Sequence, residues 1–278
     1  MKYVAFGLAI AVIGWIFFDN KRIKISRYNV ASKRLPKHFS GFKIAQISDL
    51  HGAHFGKENR RLLALIREEK PDIIVITGDI INSRKVNIPA TEKFCRAAGE
   101  MAPVFFASGN HESRLNDYAE LRQTLENAGV TVLENQSAVI RKNNESITLS
   151  GVTDPRFVTD YDYNNSLSAL RKALANMSLN QAEFNVLLSH RPELMAAYVE
   201  CGADLVFSGH AHGGQFRLPL LGGIYVPGQG FFPHYDAGSF SEGETRMIVS
   251  RGLGQSIIPF RIGNPPELVI AELTKQGD

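Results

Sequence analysis

Five short segments of this 278-residue chain carry side chains that could do chemistry together. They are Asp49-Leu50-His51, Gly78-Asp79, Gly109-Asn110-His111-Glu112, Ser189-His190 and Gly209-His210-Ala211-His212. Each stands directly behind an apolar run: KIAQIS, DIIVIT, PVFFAS, FNVLLS and DLVFS. Carboxylates, one amide and several imidazoles suit Mn, Fe, Zn, Co or Ni, and the lack of thiolates argues against a structural zinc cluster. Asp-x-His and His-x-His each let two ligands of one loop reach the same ion. A carboxylate such as Asp79 can bridge two cations roughly 3.5–4 Å apart, the spacing of two-metal hydrolases. Taken singly, these motifs are common by chance, and a lone histidine is more often structural than a ligand. The set is what counts: five of the eight histidines fall in it. His38, His54 and His234 read as structural, with His54 closest to an exception because it shares a loop with His51.

For these segments to meet, the apolar runs must be strands of one architecture. Ligands of open α/β sheets bind beyond the carboxyl ends of the strands, where all five segments would then lie. Strands are predicted over 43–48, 72–77, 103–108, 184–189 and 204–208, and helical patterns over 57–69, 89–101 and 116–128. The alternation calls for an α/β fold with parallel strands. Between these halves, 130–133, 138–141 and 146–152 read as a meander with a turn at Asn143-Asn144. Further strands are expected at 224–226, 246–251 and 268–273. We expect one catalytic domain over 41–278, preceded by a basic connector over 21–40.

Residues 3–18 are all apolar, aromatic or glycine. That run is slightly shorter than the roughly 20 residues that span a bilayer core, but Lys2 and Lys21 can snorkel. A cleaved signal peptide is the competing reading. Phe17, Phe18, Asp19 and Asn20 follow in place of a small-x-small cleavage site, so a single-pass anchor over 1–20 is expected. Lys21, Arg22, Lys24, Arg27, Lys33, Arg34 and Lys37 then place the catalytic domain on the cytoplasmic side of the cell membrane. The net charge of +3 is too small to imply a nucleic-acid partner. Cys95 and Cys201 form no metal-type pattern and read as two buried, reduced thiols.

In this order, the five segments resemble the signature of the calcineurin-like metallophosphoesterase superfamily. The strings ISDLHGAHFG and SGHAHGGQ are similar to its bacterial, membrane-associated YkuE- and YaeI-like branch. The resemblance covers about 42–273; Ser189 stands where many relatives have glycine. It implies a four-layer αββα sandwich behind the membrane-anchor helix. It also implies two divalent metal ions, Mn2+ first among the candidates. Asp49, His51 and His212 would hold one ion and Asn110, His190 and His210 the other, with Asp79 bridging. A metal-bridging hydroxide would attack phosphorus in line, and His111, as a cation, would donate to the leaving oxygen.

The bond cleaved would be a phosphodiester or a pyrophosphate, and the anchor points to a lipid-linked or cell-envelope precursor; some relatives in that branch act on UDP-diacylglucosamine. A non-catalytic membrane scaffold would usually have lost ligands, which this chain has not. A nuclease would want a basic, aromatic-lined groove. The only basic cluster is the membrane-proximal one, which suits anionic headgroups better. No motif points to a protein partner. Arg191 is either a phosphate contact or a structural arginine. Of the later residues, Arg251 suits a substrate rim; Arg261 and Phe231-Phe232 either shape a substrate or membrane-facing rim or, the reading preferred, are turns and core.

Overall fold

A strand covered on both faces needs an apolar residue at every position, not at alternate ones. The apolar runs accordingly become the central strands of two sheets. The computed structural model describes residues 3, 14, 16, 18–160, 162–255 and 260–277. The first sheet holds β1 (Lys24–Ser32), β2 (Lys43–Ile47), β3 (Ile73–Thr77), β4 (Val104–Ala107), β5 (Val130–Val132) and β16 (Glu267–Lys275), in the order β1-β16-β2-β3-β4-β5. The second holds β6 (Gln136–Lys142), β7 (Glu145–Gly151), β8 (Asn185–Leu188), β9 (Leu205–Ser208), β14 (Gly238–Glu242) and β15 (Thr245–Val249), in the order β14-β15-β9-β8-β7-β6. Strands β2 to β5 run parallel, as do β7, β8, β9 and β15.

Successive residues of a strand point to opposite faces, which sorts the core into three layers. Between the sheets, Ile44, Val75, Phe105 and Val269 meet Leu149, Val186, Phe207 and Ile248. Outside the first sheet, Ile74, Ile76 and Phe106 pack on helices α1 (Arg60–Glu69), α2 (Ile88–Gly99) and α3 (Tyr118–Asn127), through Leu62, Ile66, Phe94 and Leu121. Outside the second, Leu187 and Val206 pack on α4 (Tyr163–Met177) and α5 (Met195–Glu200), through Leu170, Leu174 and Tyr198. The result is helix, sheet, sheet, helix.

The structure departs from the expected elements in several places, the edge strand β14 among them. β5 pairs with β4 in the first sheet, so the chain changes sheets at 133–135 and only β6 and β7 form the hairpin. Residues 24–32, read as connector, form β1 beside β16. Helix α4 was not foreseen, although Leu167, Leu170 and Leu174 share one face and the Asp162 carboxylate caps it by accepting the Asn165 N–H.

The anchor expected over 1–20 lies mostly outside the described residues. Among the described residues, no helix is long and apolar enough to cross a membrane. Residues 18–21 are helical, and the Asn20 amide ties them to the domain. Its Nδ2 donates to the Arg261 carbonyl and its Oδ1 accepts the Arg261 N–H, at 2.7 and 2.8 Å.

Both cysteines are free. Burial pushes the Cys95 thiol up to about 12 and the Cys201 thiol up to about 11. Since the thiolate is the reactive form, neither should react with DTNB at pH 8 until the protein is unfolded. Rapid reaction of either thiol in the native protein would contradict this.

Candidate metal centre

Three strands of the first sheet and two of the second deliver the chemistry-bearing loops to one edge: β2 to Asp49, β3 to Asp79, β4 to Asn110, β8 to His190, and β9 to His210. Asp49, His51, Asp79, His210 and His212 all adopt φ between 48° and 65°. Residues with a Cβ seldom take that conformation, and where they do it commonly serves a site. The loops brace one another: the N–H groups of Asp49 and His51 donate to the carbonyls of Gly78 and Asp79, at 3.1 and 2.9 Å. Gly78 cannot be larger, because a Cβ there would come within 2.6 Å of Gly109 Cα and His190 Nδ1. A Cβ on Gly209 would collide with Ser48 Oγ and Asp49 Oδ2.

The side chains converge. Asp49, His51 and His212 offer ligand atoms within 4.8 Å of one another, and so do Asp49, Asp79 and His190. Asp79 Oδ2 lies 3.4 Å from His190 Nε2 and 3.6 Å from His51 Nε2, which places it between two imidazoles. Its other oxygen accepts the His111 backbone N–H at 2.7 Å. His212 Nε2 is 3.2 Å from Asp49 Oδ1 and 3.0 Å from His51 Nε2. His190 Nδ1 donates to the Thr77 carbonyl at 2.8 Å, which turns the Nε2 lone pair into the site. His210 stacks edge-on against His190. Its Nε2 faces Arg191 at 3.5 Å and Glu193 at 4.0 Å, leaving Nδ1 as the nitrogen for a ligand.

Asn110 Oδ1, a buried acceptor beside the cluster, has no hydrogen-bond partner. Orphans of this kind are rare in folded proteins and call for an explanation. Cations supply one, and the donor set of carboxylate, amide oxygen and imidazole fits them. The charges agree. Burial alone would raise the Asp49 and Asp79 carboxyls, but His212 and His190 beside them hold both well below the usual range. Burial would lower His190, yet Asp79 and Asp49 together lift it to about 10. Burial lowers His51 to about 3 and takes His210 well down.

In the metal-free protein, one proton on His190 therefore does part of a cation's work. Its raised pKa means the proton is present at pH 8 and would have to leave if a metal were to bind at Nε2. Calorimetry in buffers of different ionisation enthalpy should show about one proton released per loaded site pair at pH 8. Mn2+ affinity should climb as pH rises toward 10. Uptake without proton release would contradict this.

Several contacts lay beyond sequence reasoning. Glu112 is wholly buried; its Oε2 accepts the N–H groups of Asp79 and Gly109, each at 2.7 Å, and so locks two ligand loops together. Burial, with Asp79 close by, pushes its carboxyl up to about 8. Only its place behind Asn110-His111 marked it in the sequence. Arg191 is a structural arginine: it is buried and binds Asp154 through Nε and Nη2 at 2.8 and 3.1 Å. Arg251 pairs with Glu267, and its backbone N–H donates to the same carboxylate. Arg261 also borders the site, buried with Nη2 3.1 Å from His212 Nδ1. His54 is exposed and outside the cluster, His38 pairs with Glu145, and His234 packs on Tyr235.

Above the cluster opens a cleft of about 320 Å³, lined by Asp79, Asn110, His111, His210 and His212 on its floor and by Arg84, Arg114 and Tyr225 toward its mouth. A two-sheet sandwich with Asp and His ligands converging under such a cleft defines a metal-dependent hydrolase. The chain belongs to the calcineurin-like phosphoesterase family, which it matches over residues 42–214. With its Asp/His clusters, that membership makes it a metal-dependent phosphoric ester hydrolase. It is 30% identical to the uncharacterized metallophosphoesterase YkuE of Bacillus subtilis, over 92% of this chain and 87% of that one. It is 29% identical to the phosphodiesterase YaeI of Escherichia coli, over 94% and 89%. Among solved structures, TT1561 of Thermus thermophilus shares the fold, with a TM-score of 0.51 at 13% identity, covering 77% of this chain and 90% of that one.

Proposed function

We propose that the chain cleaves a phosphodiester or pyrophosphate bond with a pair of divalent metal ions, Mn2+ foremost. We take its substrate class to be a lipid-linked or cell-envelope precursor. Residues 1–20 would attach it to the cell membrane with the catalytic domain on the cytoplasmic side. The observation that carries the chemistry is the position of Asp79 Oδ2 between His51 and His190, near the unpartnered Asn110 Oδ1.

Asp49, His51 and His212 would hold one ion, Asn110, His190 and His210 the other, and Asp79 both. When bound, the pair supplies a nucleophile at neutral pH and neutralises charge on the phosphoryl oxygens. The chain's own groups do the rest. Glu112 keeps the Asp79 and Gly109 backbones in register. His111 accepts the Ser83 backbone N–H at Nδ1, at 3.1 Å, so the neutral ring carries its proton on Nε2 as a donor for the leaving oxygen. Arg84 and Arg114 are exposed at the mouth of the cleft. Two guanidinium forks beyond the reacting phosphoryl group suit a second phosphate, which favours a pyrophosphate.

Chelation with EDTA should abolish turnover of bis-p-nitrophenyl phosphate and of UDP-linked lipids, and Mn2+ should restore it. Absence of metal-dependent turnover on both would overturn the proposal. Replacing Arg84 and Arg114 together by Ala should raise KM for a UDP-linked lipid roughly 10–100-fold, with little change on the simple diester. Equal effects on the two substrates would argue against a second-phosphate site.

A further inference from the structure

Seven of the thirteen large apolar side chains that are exposed among the described residues lie between 218 and 260. One of them, Tyr225, lines the cleft, and its ring meets that of Phe231; the group forms a crown beside it. Strands β10 (Arg217–Leu218) and β11 (Gly222–Gly223) form one short hairpin, and β12 (Tyr225–Val226) with β13 (Gly230–Phe231) form a second. The first hairpin turns through Leu218, Leu220 and Leu221, which are 45, 106 and 63% exposed; the second ends in Phe231 and Phe232, 73 and 63% exposed. Leu220 and Phe232 also hold φ of 68° and 51°. An apolar residue held in a disfavoured conformation in order to face solvent is not a packing solution.

The base of the crown is rigid. Asp236 Oδ2 accepts from Arg217 Nη1 and the Gly223 N–H, and Arg217 Nη1 also reaches the Gly213 carbonyl beside His212. Phe216 packs on Phe260, one residue before the Arg261 that holds Asn20. Phe260 is thus one residue from the contact that holds Asn20, which directly precedes the exposed basic pair Lys21 and Arg22. No Asp or Glu occurs between Asp204 and Asp236.

We infer that this crown is a lipid-docking surface: Leu220, Leu221, Phe231 and Phe232 enter the interface of an anionic bilayer and set the cleft mouth against it. An apolar tip without carboxylates, flanked by lysine and arginine, is the pattern of interfacial membrane contact. It also gives a substrate with an acyl tail a route into the cleft without crossing water. The inference rests on the membrane attachment proposed above.

The full-length protein is reconstituted with vesicles of phosphatidylcholine and phosphatidylglycerol, carrying an environment-sensitive dye at Leu220→Cys or, as control, at Asn144→Cys. Asn144 lies in the turn before β7, at the edge away from the cleft. Flotation reports attachment, the dye reports the crown, and turnover of bis-p-nitrophenyl phosphate reports the enzyme, so the three can fail separately. The dye at 220 should shift to the blue and be quenched by brominated lipid, while the dye at 144 should do neither. Phe231→Glu with Phe232→Glu should reduce the shift at 220 and keep wild-type turnover of the soluble diester. A dye at 220 that stays in water on floating protein overturns the inference, as does protein that does not float. A shift produced by concentrating the protein without lipid also overturns it, assigning the crown to a second copy.

Discussion

Asp79→Asn is expected to lower Mn2+-supported hydrolysis of bis-p-nitrophenyl phosphate by at least about 10³-fold. Asp79 Oδ2 lies between the two histidine groups, 3.6 Å from His51 and 3.4 Å from His190. Oδ1 is already committed to the His111 N–H, so it cannot take over the bridge. The amide of Asn also removes a full negative charge from a wholly buried site, where charges are poorly screened. Its NH2 group would in addition face the imidazoles or a cation with hydrogens. Metal analysis should show the variant holding one ion or fewer where the wild type holds two. Circular dichroism should remain unchanged, since Asp79 is a loop residue whose backbone N–H still finds Glu112. A variant that keeps both ions and near-normal turnover would remove Asp79 from the bridging position and, with it, the proposed chemistry.

The second large effect is expected at His111. His111→Ala should cut turnover about 10²–10⁴-fold and leave the metal content close to wild type. The sequence reading makes this histidine a cation; the contacts of the ring support a neutral Nε2–H donor instead. The Ser83 backbone N–H donates to Nδ1 at 3.1 Å, and the Ser83 hydroxyl, at the same distance, can donate to it as well. Burial lowers the pKa of the ring, although Asp79 pulls the other way. A histidine held below its ordinary value of about 6.5 is neutral throughout the pH 7–9 range. A cationic donor would lose its contribution as pH rose through that ordinary value; the neutral Nε2–H donor keeps it. The ratio of wild-type to His111→Ala turnover should therefore stay flat between pH 7 and 9. A ratio that collapses across that range would restore the imidazolium, and equal rates for the two proteins would leave His111 without a role.

Much of the site was legible because its residue types are so constrained. An Asp-x-His, a Gly-Asp, an Asn-His, a lone His and a His-x-His, each behind an apolar run, can hardly be arranged so by packing needs alone. The strands behind them were legible for a related reason: runs such as IIVIT and VFFA have no polar face and must be covered on both sides. Expectations failed where a local pattern has two global uses. Val130–Val132 looks the same whether it pairs with the next strand or with β4, and only the competition for the edge of the first sheet decides. Phe231 and Phe232 read as core because aromatic residues usually are; their exposure follows from hairpins too short to fold back on themselves.

The sequence by itself determined the chemistry available to this protein, because ligand preference and charge belong to side chains wherever they sit. It also determined the α/β alternation that carries those side chains to strand ends. Tertiary structure alone decided which arginine stands by His212, what Glu112 clamps, which nitrogen of His111 bears the proton and which apolar residues remain outside. Those outcomes depend on distances of about 3 Å between residues far apart in the chain, and no local pattern encodes such a distance.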